Sequence, residues 1–134
     1  MGPSYPTDVS LEPGLAATVD LTVKEGDTAD ALQSGDVPML ATPRVIALAE
    51  EASCLAVADQ LEAGDTTVGV RVQLDHLLAV PVGRSVRAEA KLESIEGRRL
   101  TFVVSVNAER GLVAAGKVTR VIVARDRFVQ KANE

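Results

Sequence analysis

Aromatic residues make up only 2% of this 134-residue chain. Tyr5, Phe102 and Phe128 are too few and too scattered to build a base-stacking platform. Basic residues are outnumbered, 14 Lys and Arg against 19 Asp and Glu, so the net charge is −5. A phosphate backbone is bound by clustered cations, and an acidic chain is a poor nucleic-acid binder. There is one cysteine, Cys54, so no intrachain disulfide can form, and a reducing, cytoplasmic setting is expected. There is one histidine, His76, and with a single cysteine it cannot supply the usual zinc ligand set, so neither a metal nor another cofactor is expected. No apolar run approaches the roughly 18 residues of a membrane span. The N-terminus has no basic region followed by an apolar stretch, so no secretory signal is expected.

What is present suits a packed core: 46% hydrophobic and 25% charged residues, close to the globular average. Residues 1–13, with Pro3, Pro6 and Pro13, read as a loose leader. Val19, Leu21 and Val23 alternate with polar neighbours and predict a strand, followed by a short helical turn over Asp27–Gln33. Thr42-Pro43 has the form of a helix start, an N-cap residue followed by proline. Residues 43–59 contain no glycine and no further proline. At 100° per residue Ile46, Ala49, Glu50, Ser53 and Val57 share a stripe, opposite Arg44, Glu51 and Asp59. The helix is apolar on most faces and is expected to be buried. Val68, Val70, Val72 and Leu74 alternate in a second strand ending at Asp75-His76. Residues 85–93 and 100–107 alternate again, joined by a hairpin at Glu96-Gly97, and 112–124 form a last long strand. The order β-α-β-β-β-β with short turns predicts an α+β chain with a five-stranded antiparallel sheet around one helix. The expected boundaries are a leader at 1–13, a domain at 14–128 and a charged tail at 129–134. A curled sheet leaves the helix without a lid and strands with open edges, and pairing two copies answers both needs.

Several residue groups go beyond topology. Thr42-Pro43-x6-Glu50 opens the helix, and Gly69-Val70-x5-His76 closes the second strand. Pro81-x-Gly83-x-x-Val86-x-Ala88-x-Ala90-x-Leu92 follows, then Glu96-Gly97-Arg98-Arg99-Leu100 and Gly116-x3-Arg120. Over residues 15–128 these resemble the hot-dog acyl-CoA thioesterases, most closely the fluoroacetyl-CoA thioesterase branch. The resemblance implies a hot-dog fold, an acyl-CoA substrate, and a homodimer or higher oligomer with sites at the subunit interface. It also implies that Thr42, Glu50 and His76 form the catalytic constellation, hydrolysing a small acyl-CoA with CoA entering only as part of the substrate. The branch carries aromatic lid residues before the helix. Here the stretch Gln33-Ser34-Gly35-Asp36-Val37-Pro38-Met39-Leu40 has no ring, which argues against strong selectivity for a fluorinated acyl group. A non-catalytic acyl-CoA-binding module and an acyl-CoA hydratase or dehydratase are the rival functions.

Each site residue also has a plainer reading. Glu50 lies opposite the other helix charges, and a buried carboxylate is costly unless paired; it serves chemistry or braces a neighbouring loop. His76, the one imidazole, suits proton transfer near neutrality, or is a loop histidine satisfied by Asp75. Thr42 is a natural N-cap. Eight helical residues span about 12 Å, so in a straight helix Thr42 and Glu50 cannot both touch one reacting atom. Gly69, mid-strand, is either a substrate-facing oxyanion donor or a bulge. Arg120, on an apolar strand, orients Glu50, contacts substrate or snorkels at the sheet edge. Cys54, without a second histidine to activate it, packs the core. Arg84, Arg87, Arg98 and Arg99 either meet CoA phosphates or form a solvated face.

Overall fold

The computed structural model describes residues 11–134; most of the leader expected over 1–13 lies outside the described residues. The chain runs β1 (Ala16–Thr22), α1 (Thr42–Val57), β2 (Asp65–His76), β3 (Ser85–Glu96), β4 (Arg99–Ala108), β5 (Gly111–Ala124) and α2 (Arg125–Ala132). All pairings are antiparallel in one five-stranded sheet ordered β1-β3-β4-β5-β2. The sheet wraps α1 in the hot-dog arrangement. Among the described residues, no helix is long and apolar enough to cross a membrane.

The core follows the alternation. Val86, Ala88, Ala90 and Leu92 of β3 and Leu100, Phe102, Val104 and Val106 of β4 are buried under α1. Facing them on the helix are Val45, Leu48, Ala49, Ala52, Ser53, Ala56 and Val57. The small residues let the helix lie close to the sheet, so Ala-to-larger changes here would overpack it. The buried stripe is rotated from the one expected. Ile46 and Glu50 sit at its margin, half-buried, while Leu55 is exposed on the face the sheet does not cover.

After β1 comes a 3-10 turn at Glu25–Asp27, held by the Asp27 carboxylate accepting from the Lys24 backbone amide. The short helical turn expected over Asp27–Gln33 follows it, closed by the Leu32 amide donating to the Thr28 carbonyl. Helix α2 spans the boundary expected between the domain and the tail at 128/129, and none of its residues is buried. Finally, Val68, Val70, Val72 and Leu74 do not share one face. The β2–β5 register slips between Gly69 and Arg71. A bulge inverts the phase of a strand. Thr67 and Gly69 therefore face inward before it, and Val72, Leu74 and His76 after it, whereas Val70 is exposed.

Candidate active site

At the start of α1 the N-cap is Ala41, and Thr42 is already helical. The cap expected of Thr42 is therefore absent. Its hydroxyl instead meets His76 Nδ1 at 2.7 Å. The other ring nitrogen, Nε2, is buried without a hydrogen-bond partner among the described residues. Asp75 points to the other face of β2 and does not satisfy the ring. A cavity of about 400 Å³ opens beside the pair, lined also by Ser34, Asp36, Val37 and Met39 of the segment before the helix. No aromatic side chain lines it.

Two turns along α1, Glu50 meets a second set of residues. Arg120 Nη1 donates to Glu50 Oε2 at 2.8 Å. The same guanidinium donates from Nε to Thr67 Oγ1 and from Nη2 to the Thr67 carbonyl, each at 2.9 Å. All three of its nitrogens are thus engaged, and the arginine is buried on β5. A planar fork held this way is a rigid strut, and the snorkelling reading does not apply. Glu50, by contrast, keeps 34% of its side chain exposed. Gly69 pairs with Arg120 across the sheet, and its missing side chain is what makes room for the carboxylate. Gly69 is thus both at a bulge and against the site, and the two readings of it coexist.

Two centres result: Thr42 with His76, and Glu50 with Arg120, Thr67 and Gly69. Helix α1 is unbroken from Thr42 to Val57, so the roughly 12 Å rise between Thr42 and Glu50 stands. Thr67 was not singled out from sequence. A threonine facing the core of a strand was the available signal, and the bulge hid its facing. Cys54 lies 4.0 Å from the Thr67 hydroxyl, a packing contact at the edge of the same cluster. Gly116 is explained by packing, since a Cβ there would collide with the Gln73 carbonyl of β2. Arg87 and Arg98 are taken up by Asp20 and Asp65. Among the described residues no group of three or more His, Cys, Asp or Glu is placed to hold a metal ion.

Residues 23–126 match the profile of the family described as fluoroacetyl-CoA-specific thioesterase. The chain belongs to that family. With membership comes the enzyme class, a thioesterase of hot-dog fold. The fluoroacetyl-CoA thioesterase of Streptantibioticus cattleyicolor is 31% identical over 96 residues, covering 72% of this chain and 69% of that one. A solved fluoroacetyl-CoA thioesterase superposes with a TM-score of 0.85 at 28% identity, covering 92% of this chain and 96% of that one. A variant of the fluoroacetyl-CoA-specific enzyme, solved with fluoroacetate and CoA, superposes with a TM-score of 0.81 at 29% identity, covering 88% and 99%.

Proposed function

We propose that this protein hydrolyses the thioester of a small acyl-CoA in the cytoplasm, as a homodimer whose sites combine residues of two chains. The observation that carries this is the division into two centres. Thr42–His76 offers a hydroxyl, an imidazole and a cavity. Glu50 offers a half-exposed carboxylate fixed at one oxygen by a buried arginine. Thioester hydrolysis needs both kinds of group: one to take a proton from water, the other to stabilise charge on the carbonyl oxygen and pass a proton to the leaving thiol. The open face of α1 near Leu55 and the edge strand β2 support a partner chain that brings the Glu50 of one copy to the Thr42 and His76 of the other.

In this reading Glu50 Oε2 stays on Arg120 while Oε1 accepts the proton of the attacking water. The carbonyl oxygen is held by backbone amides near Gly69 or the helix start. His76 protonates the departing CoA sulfur, and the Thr42 hydroxyl fixes the ring at Nδ1. The aliphatic and polar wall before the helix supports a pocket that distinguishes fluoroacetyl from acetyl groups only weakly.

The test is hydrolysis of a panel of short acyl-CoAs, including the fluoroacetyl and acetyl pair, by wild type and by Glu50→Gln. Turnover is expected on several members, falling roughly 10²–10⁴-fold in the variant. Binding without turnover in wild type, or near-wild-type turnover in a folded Glu50→Gln protein, would overturn the mechanism. A preference of several orders of magnitude for fluoroacetyl-CoA would overturn the pocket argument. Sedimentation should give about twice the chain mass.

A further inference from the structure

Among the described residues, Thr28, Ser53, Thr67 and Arg120 are polar or charged and buried. Ser53 turns its hydroxyl onto the Ala49 carbonyl of its own helix. Thr28 bonds within its own loop, to the Glu25 carbonyl and the Asp30 carboxylate. Thr67 instead meets a charged side chain from another strand. Its hydroxyl oxygen accepts from Arg120 Nε and its carbonyl from Arg120 Nη2, each at 2.9 Å. Two contacts to one residue fix the plane of the guanidinium. The third nitrogen, Nη1, is left 2.8 Å from Glu50 Oε2.

The sheet register explains how the arginine reaches this position. Thr67 stands opposite Ile122 and Gly69 opposite Arg120, so Arg120 meets Thr67 on the diagonal, two places along β2. Diagonal neighbours lie about 7–8 Å apart, within reach of a long side chain. The course is open because Gly69 has no side chain: a Cβ there would come within 3.1 Å of Arg120 Nη1. The bulge after Gly69 completes the arrangement. Thr67 and His76 are nine residues apart, and in a regular strand an odd separation points two side chains to opposite faces. The slip between Gly69 and Arg71 returns them to a shared face. One strand therefore carries both the anchor of the arginine and the imidazole.

We infer that Thr67 is a positioning residue for the hydrolysis: its side-chain oxygen sets the Arg120 guanidinium, which holds Glu50 by one oxygen and leaves the other for the attacking water. This rests on the acyl-CoA reading above, with Glu50 as the base. Thr67 acts through Arg120 and takes no part in making or breaking bonds. A guanidinium carries five N–H donors and no acceptor, and a buried one must find oxygens for them. Without the Thr67 hydroxyl, Nε faces the core with nothing to accept from it, and the guanidinium turns away from Glu50. The carbonyl contact survives any substitution at Thr67, so the hydroxyl is the part that a variant can remove.

The test is a double-mutant cycle on one short acyl-CoA, with Thr67→Val, Glu50→Gln and the two together. Thr67→Val keeps the shape and removes the oxygen. Its kcat should fall about tenfold to a hundredfold, the range that one hydrogen bond to a charged group spans, with KM within about twofold of wild type. Thr67→Ser, which returns the oxygen, should recover most of kcat. On the Glu50→Gln background Thr67→Val should cost little more, because the carboxylate that it positions is gone. An unimpaired kcat in Thr67→Val overturns the inference while leaving the acyl-CoA reading intact. So does a loss that repeats in full on Glu50→Gln, which marks a role in the fold alone. Near-wild-type turnover in Glu50→Gln overturns the Glu50 mechanism and the inference with it. The Nε–H resonance of Arg120, identified by its absence in Arg120→Lys, reads the contact without turnover. It should exchange slowly with solvent in wild type and Thr67→Ser and faster in folded Thr67→Val. Equal exchange in wild type and Thr67→Val overturns the inference. If Thr67→Val does not fold, Thr67→Ala, which also lacks the oxygen, takes its place in both measurements.

Discussion

The carboxylate of Glu50 occupies the space into which a side chain at Gly69 would project. The obstacle to a larger residue is therefore the tip of a flexible side chain, not backbone. Gly69→Ala should fold, because Glu50 can swing aside, but it should do so at the expense of the Arg120 contact. Turnover is expected to fall at least tenfold while the melting temperature moves by only a few degrees. A fully active Gly69→Ala protein would show that the carboxylate position does not matter. A collapse in stability would show that the strand cannot adapt.

Thr42 lends itself to a similar separation. Because Ala41 is the N-cap and the Thr42 hydroxyl is bonded to His76, Thr42→Ala removes no cap. The roughly 1 kcal/mol that a lost cap costs should be missing from its melting curve. The loss should appear in kcat, and Thr42→Ser, which keeps the hydroxyl, should restore most of it. A destabilised but active Thr42→Ala protein would contradict this assignment.

Acid stability is tied to the ground beneath the helix start. Burial pushes the Asp27 carboxyl up, but the Lys24 amide and the Arg44 guanidinium together outweigh it and hold it below the ordinary carboxylate value. A group whose pKa is lower in the folded state stabilises the fold above its unfolded pKa, near 3.8 here. That contribution disappears as pH falls through the lowered folded value. Asp27→Asn should therefore melt earlier than wild type at pH 7, and the two curves should converge as the pH is taken down through the lowered folded value. The Asp27 carbonyl also accepts from the Ala41 amide, so the loop and the helix start should loosen together.

Much of this was legible in the residues. Alternation in β1, β3 and β4 gave the sheet faces, and the glycine-free stretch from Pro43 gave the helix. What escaped was phase. One extra residue at the Gly69–Arg71 bulge turned Thr67 inward and Val70 outward, and a two-residue period cannot announce such an insertion. The helix stripe was displaced for a related reason: in an element this rich in alanine, leucine and valine, polarity does little to fix the rotation. From its immediate neighbours Thr42 has only the form of a cap, and its place beside His76 comes from the family resemblance, because His76 lies 34 residues away and is brought there only by tertiary packing.

The unbroken run of α1 from Thr42 to Val57 also has a genetic reading. If each site takes its carboxylate from one chain and its imidazole from the other, two dead alleles can rescue each other. Glu50→Gln and His76→Ala chains, unfolded and refolded together, should yield mixed dimers in which one site is wholly mutant and the other wholly native. Statistical mixing makes half the dimers mixed, so roughly a quarter of wild-type activity should return from two inactive preparations. A chain that carried its whole site alone would return none.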